Sequence, residues 1–357
     1  MIQKINLLIL KDNLTRLSST PYFNKGLTDF VRNLLGAVEF VINNFEGLPP
    51  LSTDIFVEDA SIAYTYLASS TTREIPYEME FCLNVVLKDW ISQDYKIATS
   101  LTNAGFLDFH FQPLDMAEEV KRLFGYTMTS SSSIIHIGMP RLYKTTPLLN
   151  IPLYHELGHF IDRNLGIVNL AIFYLQNGHF DAQHYPELPV EMLTDMDVST
   201  SHIREYFADL FATSYIGTAH YKFLDSFAGY DLDSRTHPAT FRRVQLCKDY
   251  MSGTDNIFTS LFNFTLVILG HRPLSLRFSV PNLKLDFDNV RPHDIKSDAE
   301  MHGFFSAAWD YLDDNISILP LQDRQTDAII KNINGLTEKS IRNYSIVNKW
   351  RVANGTT

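Results

Sequence analysis

The segment Tyr154-His155-Glu156-Leu157-Gly158-His159 places two histidines four residues apart, with a glutamate directly after the first. On a helix, positions i and i+4 share a face, so both imidazoles can reach one metal ion. Zinc suits such donors: it takes imidazole nitrogens in a tetrahedral site, and a hydrolytic site keeps one corner for water. Glu156 then lies beside that water and is the candidate general base. The plain alternative is a pair of ordinary helix histidines with no metal between them.

Two imidazoles leave a tetrahedral ion short of a protein ligand, so a third must come from elsewhere. A metzincin would supply a glycine and a third histidine shortly downstream, but those positions hold Asp162 and Leu165. The next segment with suitable chemistry is His202-Ile203-Arg204-Glu205-Tyr206-Phe207-Ala208-Asp209. On a helix Glu205 and Asp209 share a face one turn apart, which lets the first ligate the metal and the second hold a ligating imidazole in place. The competing reading is a solvated helix face with Glu205 near Arg204. His202, one turn before Glu205, is an alternative ligand.

With these residues in order, the chain resembles the gluzincin metallopeptidases, and within them the CAAX-processing and HtpX-like proteases. In that group the HExxH motif is followed by an E-aromatic-x-A-D segment that supplies the glutamate ligand. A T-H-P segment follows, with an arginine six residues beyond its histidine. Glu205-Tyr206-Phe207-Ala208-Asp209, Thr236-His237-Pro238 and Arg243 stand in those places. The resemblance spans residues 134 to 245. It implies a zinc site of His155, His159 and Glu205, and a role for His237 or Arg243 in stabilising a developing oxyanion or in orienting substrate and motif helices. For His237 the structural alternative is a histidine at a helix entry before a proline at the first helical position. Unlike that group, this chain shows no transmembrane helices.

The motif must sit on a helix, and residues 147 to 164 read as one, with Pro147 and Pro152 near its start and Gly166 at its end. Gly158 inside it implies close approach of another segment, for which the β-branched stretch Ile134 to Ile137, read as a strand, is the candidate. That strand is also a candidate edge for pairing with an extended peptide substrate. Residues 25 to 46 form a strong amphipathic pattern, with Leu27, Phe30, Val31, Leu34, Leu35, Val38 and Val41 on one stripe. Met79 to Ile91 and Met116 to Phe124 suit helices, whereas Asp54 to Val57 and Phe106 to Phe111 suit strands. Further helices are expected at 200 to 216, 238 to 252, 256 to 269, 297 to 313 and 325 to 350, with a long connection over 273 to 295. Between the two motif segments, Phe173 to Pro189 carries aromatic residues with His179 and His184, and reads either as a lid or specificity loop or as an inert surface excursion.

The expected fold is therefore mainly α with a small β-sheet, an α+β arrangement. A zincin-like metallopeptidase core over 131–255 lies between helical regions at 1–130 and 256–357. With 45% hydrophobic residues in 357, the chain has enough apolar surface for a folded globular protein. A net charge of −11 without a dense Lys/Arg run argues against nucleic acid and anionic membrane surfaces as partners. Cys82 and Cys247 are far apart and form neither a disulfide framework nor a thiolate site, which fits a reducing compartment. The start resembles no secretory signal, and the uncharged stretch Asn256 to Gly270 is too short for a membrane span and reads as a buried helix, so a cytoplasmic location is expected.

Taken together, these features predict a zinc metalloendopeptidase acting on a peptide or protein substrate through Glu156. The alternatives are a zinc-bound scaffold that hydrolyses nothing and a hydrolase of a non-peptide amide.

Overall fold

Leu7, Leu10, Leu14 and Leu17 recur at helical spacing, and the first helix of the computed structural model, α1 (Ile2–Leu17), buries all four. The described residues are 2–22, 25–71, 77–92, 95–102, 109–129, 133–177, 196–228, 231–316 and 324–355. Contacts divide the chain into two units, Met1–Lys144 and Thr145–Thr357. Among the described residues there are fourteen α-helices and three strands, so the protein is mainly helical with a small mixed sheet.

In the first unit, α2 (Lys25–Asn43) presents the expected stripe, with Leu27, Phe30, Val31, Leu34, Val38 and Val41 fully enclosed. The stretch Asp54 to Val57, expected as a strand from its β-branched residues, lies inside the helix α3 (Pro50–Ser69). Proline at the start of that helix needs no N–H partner, and Thr53, Phe56, Val57, Ala60, Ala63 and Leu67 are buried at helical spacing, which outweighs local β propensity. After α4 (Tyr77–Trp90) come β1 (Tyr95–Thr102) and β2 (His110–Leu114), then α5 (Met116–Phe124) and β3 (Ser133–Pro140). Of the other stretch expected as a strand, His110 and Phe111 open β2, while 103–108 lie outside the described residues.

The sheet order is β1-β3-β2, with β3 parallel to β1 and antiparallel to β2. His136 is therefore paired with Ala98 on one side and Gln112 on the other. This corrects the expectation that the strand offers an edge to a substrate: both of its edges already carry partners, so its N–H and C=O groups are taken.

In the second unit, a short 3-10 turn (Pro147–Leu149) precedes the motif helix α6 (Pro152–Leu165), so the helix starts at the second proline and not at Pro147. Gly166 ends it at φ 69°, with its N–H on the Asp162 carbonyl at 2.7 Å; the left-handed conformation there is the one glycine adopts without steric cost. α7 (Ile167–Gln176) follows directly, and α8 (Met196–Ile216) carries the second motif segment. Of the stretch considered as a lid, Phe173 to Gln176 belong to α7, and 178–195, with His179 and His184, lie outside the described residues.

The remaining helices are α9 (Thr218–Ala228), α10 (Thr240–Ser252), α11 (Ile257–Ile268), α12 (Lys284–Asp288), α13 (Asp298–Ile316) and α14 (Arg324–Ala353). α11 falls where a buried helix was expected, but only one face is enclosed, with Ile257, Phe258, Leu261, Phe262 and Leu266 buried and Phe264, Val267 and Ile268 exposed. Its start is capped by the Asn256 side chain, which accepts from the Phe258 N–H at 3.0 Å. Among the described residues no helix is long and apolar enough to cross a membrane.

Gly158 faces α8, not the expected strand. A Cβ on it would lie 3.0 Å from the Ala208 Cα and 3.2 Å from the Phe211 Cβ. The absence of a side chain thus lets α6 and α8 approach almost backbone to backbone. His155, Gly158 and His159 are spaced at i, i+3 and i+4, as are Glu205, Ala208 and Asp209, so the two chemical triplets meet across this close seam.

Candidate metal centre

Across that seam His155 Nε2 lies 3.3 Å from Glu205 Oε2, and His159 Nε2 lies 3.2 Å from Glu205 Oε1. His155, His159 and Glu205 form a group whose donor atoms all fall within 4.8 Å of one another. Four donors at ~2.0 Å from a tetrahedral ion would be separated by about 3.3 Å, close to the spacings here. Glu205 Oε2 is also buried with ion-pair neighbours but no well-formed hydrogen bond, so it keeps acceptor capacity for a cation. The donor set and its spacing fit zinc.

Asp209 is completely buried, as the expected support for an imidazole should be, and its Oδ1 lies 3.0 Å from His155 Nδ1. That approach is close enough for ion pairing, although its angle is poor for a hydrogen bond. Arg243, entering from α10, donates from Nε to Asp209 Oδ2 and from Nη2 to Oδ1, both at 2.7 Å. Its Nη2 also lies 3.2 Å from Glu205 Oε2. Of the two roles considered for Arg243, this geometry is that of orienting the motif helices, since the guanidinium is buried against two carboxylates.

His220, the third residue of α9, was not singled out from the sequence. Its Nε2 donates to Asp209 Oδ1 at 3.0 Å, and its ring lies nearly parallel to that of His155, at 17° and 5.8 Å between centroids. A lone histidine eleven residues beyond Asp209 has no spacing signature; only the packing of α9 against α8 and α10 brings it in.

His155, Asp209 and His220 form a second group with metal-ligating atoms in reach of one another. There, however, Arg243 grips both oxygens of the single carboxylate at 2.7 Å, whereas at Glu205 it approaches only Oε2, at 3.2 Å, and leaves Oε1 to the histidines. The group containing Glu205 is the better cation site.

The electrostatics point the same way. Burial alone would drive the proton from His155, but Asp209 and Glu205 outweigh it and lift the imidazole to about 10. Burial would raise both carboxylates as well; instead the two motif histidines hold Glu205, and chiefly Arg243 holds Asp209, well below the usual carboxylate range. His220, with burial as the dominant cause, is pushed down and stays neutral. Two ionised carboxylates against one guanidinium leave one negative charge, which a proton on His155 balances in the metal-free chain; a cation bound where His155 meets Glu205 would take that proton's place.

The site is closed at Asp209 and open at His237, whose side chain is 56% exposed with Nε2 3.7 Å from Glu205 Oε1. His237 is not at a helix entry, because α10 begins at Thr240; it belongs to a loop held by its own bonds. Its Nδ1 contacts Thr236 Oγ1 at 2.8 Å, and its N–H donates to Ser234 Oγ at 2.9 Å. His202 is not a ligand here. Its Nε2 donates to the Ser234 carbonyl at 2.7 Å, which ties this loop to α8. Glu156, next to His155 on α6, is half-buried.

No family model matches the chain, and no match was found among curated proteins or solved structures.

Proposed function

We propose that the chain is a zinc-dependent metallopeptidase of the gluzincin type, in which α6 and α8 form a zincin-like helix pair. His155, His159 and Glu205 hold the metal, and Glu156 is the base. The observation that carries this reading is the convergence of both motif imidazoles on the two oxygens of one buried carboxylate. Zinc bound there would lower the pKa of a water molecule and polarise the carbonyl of the substrate.

The rest falls to the protein's own side chains. Glu156 accepts a proton on its carboxylate as water attacks the peptide carbonyl, and later passes it to the leaving amine. Asp209, fixed by Arg243, holds the His155 ring with Nε2 toward Glu205. His237, on the open side, presents Nε2 where a donor would stabilise negative charge on the carbonyl oxygen. The substrate is a peptide or protein, reached from the His237 side because the Asp209 side is closed.

Metal analysis of the purified chain, combined with Glu156→Gln, tests this. The expected result is one zinc per chain in both forms, the same melting temperature, and a loss of chelator-sensitive peptide cleavage by about 10²–10⁴-fold in the variant. Glu205→Ala should lose zinc. A folded wild-type protein that takes up no zinc would reduce the site to an ion-pair network, and full activity in Glu156→Gln would remove the base. Zinc without cleavage of any peptide in a library would favour a scaffold, and cleavage of small amides alone would favour a non-peptide amidase.

A further inference from the structure

We propose that His220 is a positioning residue for the His155 ligand, acting through Asp209; this rests on the metallopeptidase reading above. Asp209 Oδ1 is shared by three groups from three helices: His155 Nδ1 at 3.0 Å, His220 Nε2 at 3.0 Å and Arg243 Nη2 at 2.7 Å. Arg243 grips both oxygens along one edge, which fixes the carboxylate in the plane of the fork. His220 adds a donor from another element, so the carboxylate cannot tilt away from His155 without breaking it.

The ring geometry supports the assignment. The His220 and His155 rings are nearly parallel, at 17° and 5.8 Å between centroids, and each presents a nitrogen to the oxygen they share, so a shift of Asp209 toward one ring is felt by the other. The residue is almost wholly enclosed, at 2% exposure, which leaves no route to substrate; it acts on the metal site only through Asp209 and His155. Groups that orient a metal-ligating histidine from behind change metal affinity by about 10–100-fold when removed.

The test is equilibrium zinc competition against a chelator, on the full chain, with His220→Leu and His220→Gln. Gln reproduces a donor at the Nε2 position, and Leu does not. The expected result is one zinc per wild-type chain, an affinity about 10–100-fold weaker in His220→Leu, and recovery to within about threefold in His220→Gln. The visible bands of the cobalt-substituted protein should shift in His220→Leu and return in His220→Gln. Should His220→Leu fail to fold, His220→Asn takes its place, because its shorter amide stops short of Asp209.

Wild-type affinity in His220→Leu would overturn the proposal. So would equal losses in the Leu and Gln variants, which would make the ring mere packing. Two zinc ions per wild-type chain, one of them lost on substitution, would make His220 a ligand and overturn it as well. A folded wild type without zinc would instead sink the underlying metal reading, and a His159→Ala control separates the cases, since it must abolish binding if that reading holds.

Discussion

Each unit encloses a histidine, and the two have opposite electrostatics. In the first, His136 on β3 is 1% exposed, stacked on the Tyr66 ring at 3.4 Å and 2°, and bonded through Nε2 to the Ser100 hydroxyl. Burial, with help from His110, pushes its pKa down to about 3. In the second, His155 is nearly as enclosed, yet Asp209 and Glu205 raise it to about 10. Burial expels a proton by default; only carboxylates placed against both ring nitrogens turn a buried histidine into a point that attracts positive charge. A buried histidine is therefore no sign of a metal site until its neighbours are known.

The largest test of that contrast is Asp209→Ala. It leaves the buried Arg243 guanidinium and His155 without their shared counter-charge, and the expected cost is about 3–5 kcal/mol in chemical denaturation, together with loss of zinc. A loss below about 1 kcal/mol would mean that the charges near His155 relax into water and that the two histidines differ less than their surroundings suggest.

Next in size is Gly158→Ala. Alanine would add up to about 1 kcal/mol of helix propensity, but its Cβ would press on the Ala208 backbone at 3.0 Å, which cannot rotate aside. Overpacking should win, with a net loss of about 1–2 kcal/mol and weaker zinc binding as α6 and α8 separate. A stabilised variant with unchanged zinc affinity would show that the seam does not set the donor spacing.

The third test is a slope. Because the folded state keeps His136 neutral down to about 3, against an ordinary value of 6.5, the unfolded chain binds more protons between these limits. The contribution of neutral His136 is complete above about 6.5 and fades as pH falls toward about 3. In urea titrations at pH 7, 5.5 and 4.5, the stability advantage of wild type over His136→Gln should shrink with falling pH; a constant difference would contradict a neutral histidine.

Much of the site was legible in the sequence because its chemistry is local. The i, i+4 spacing of His155 and His159, and of Glu205 and Asp209, encodes a helical face whatever the tertiary fold. His220 was not legible, since its link to Asp209 is made by docking of a helix that carries no motif. β1 was missed for a related reason: Tyr95 to Thr102 becomes a strand by pairing with β3, whose sequence lies more than thirty residues away. Asp54 to Val57 misled in the other direction, because Phe56 and Val57, residues that suit strands, serve the buried face of a helix there. Gly158 was rightly read as a contact point, but one glycine cannot name its neighbour, and the neighbour proved to be α8.

The carboxylate of Asp209 collects groups from α6, α9 and α10 while standing on α8 itself. A ribosome must therefore release residues 155 through 243 before the centre can exist at all, and a chain cut off anywhere between them lacks a part. On the proposed reading, a half-made copy of this protein is harmless to its surroundings, because cutting power arrives only with the completed helical cluster.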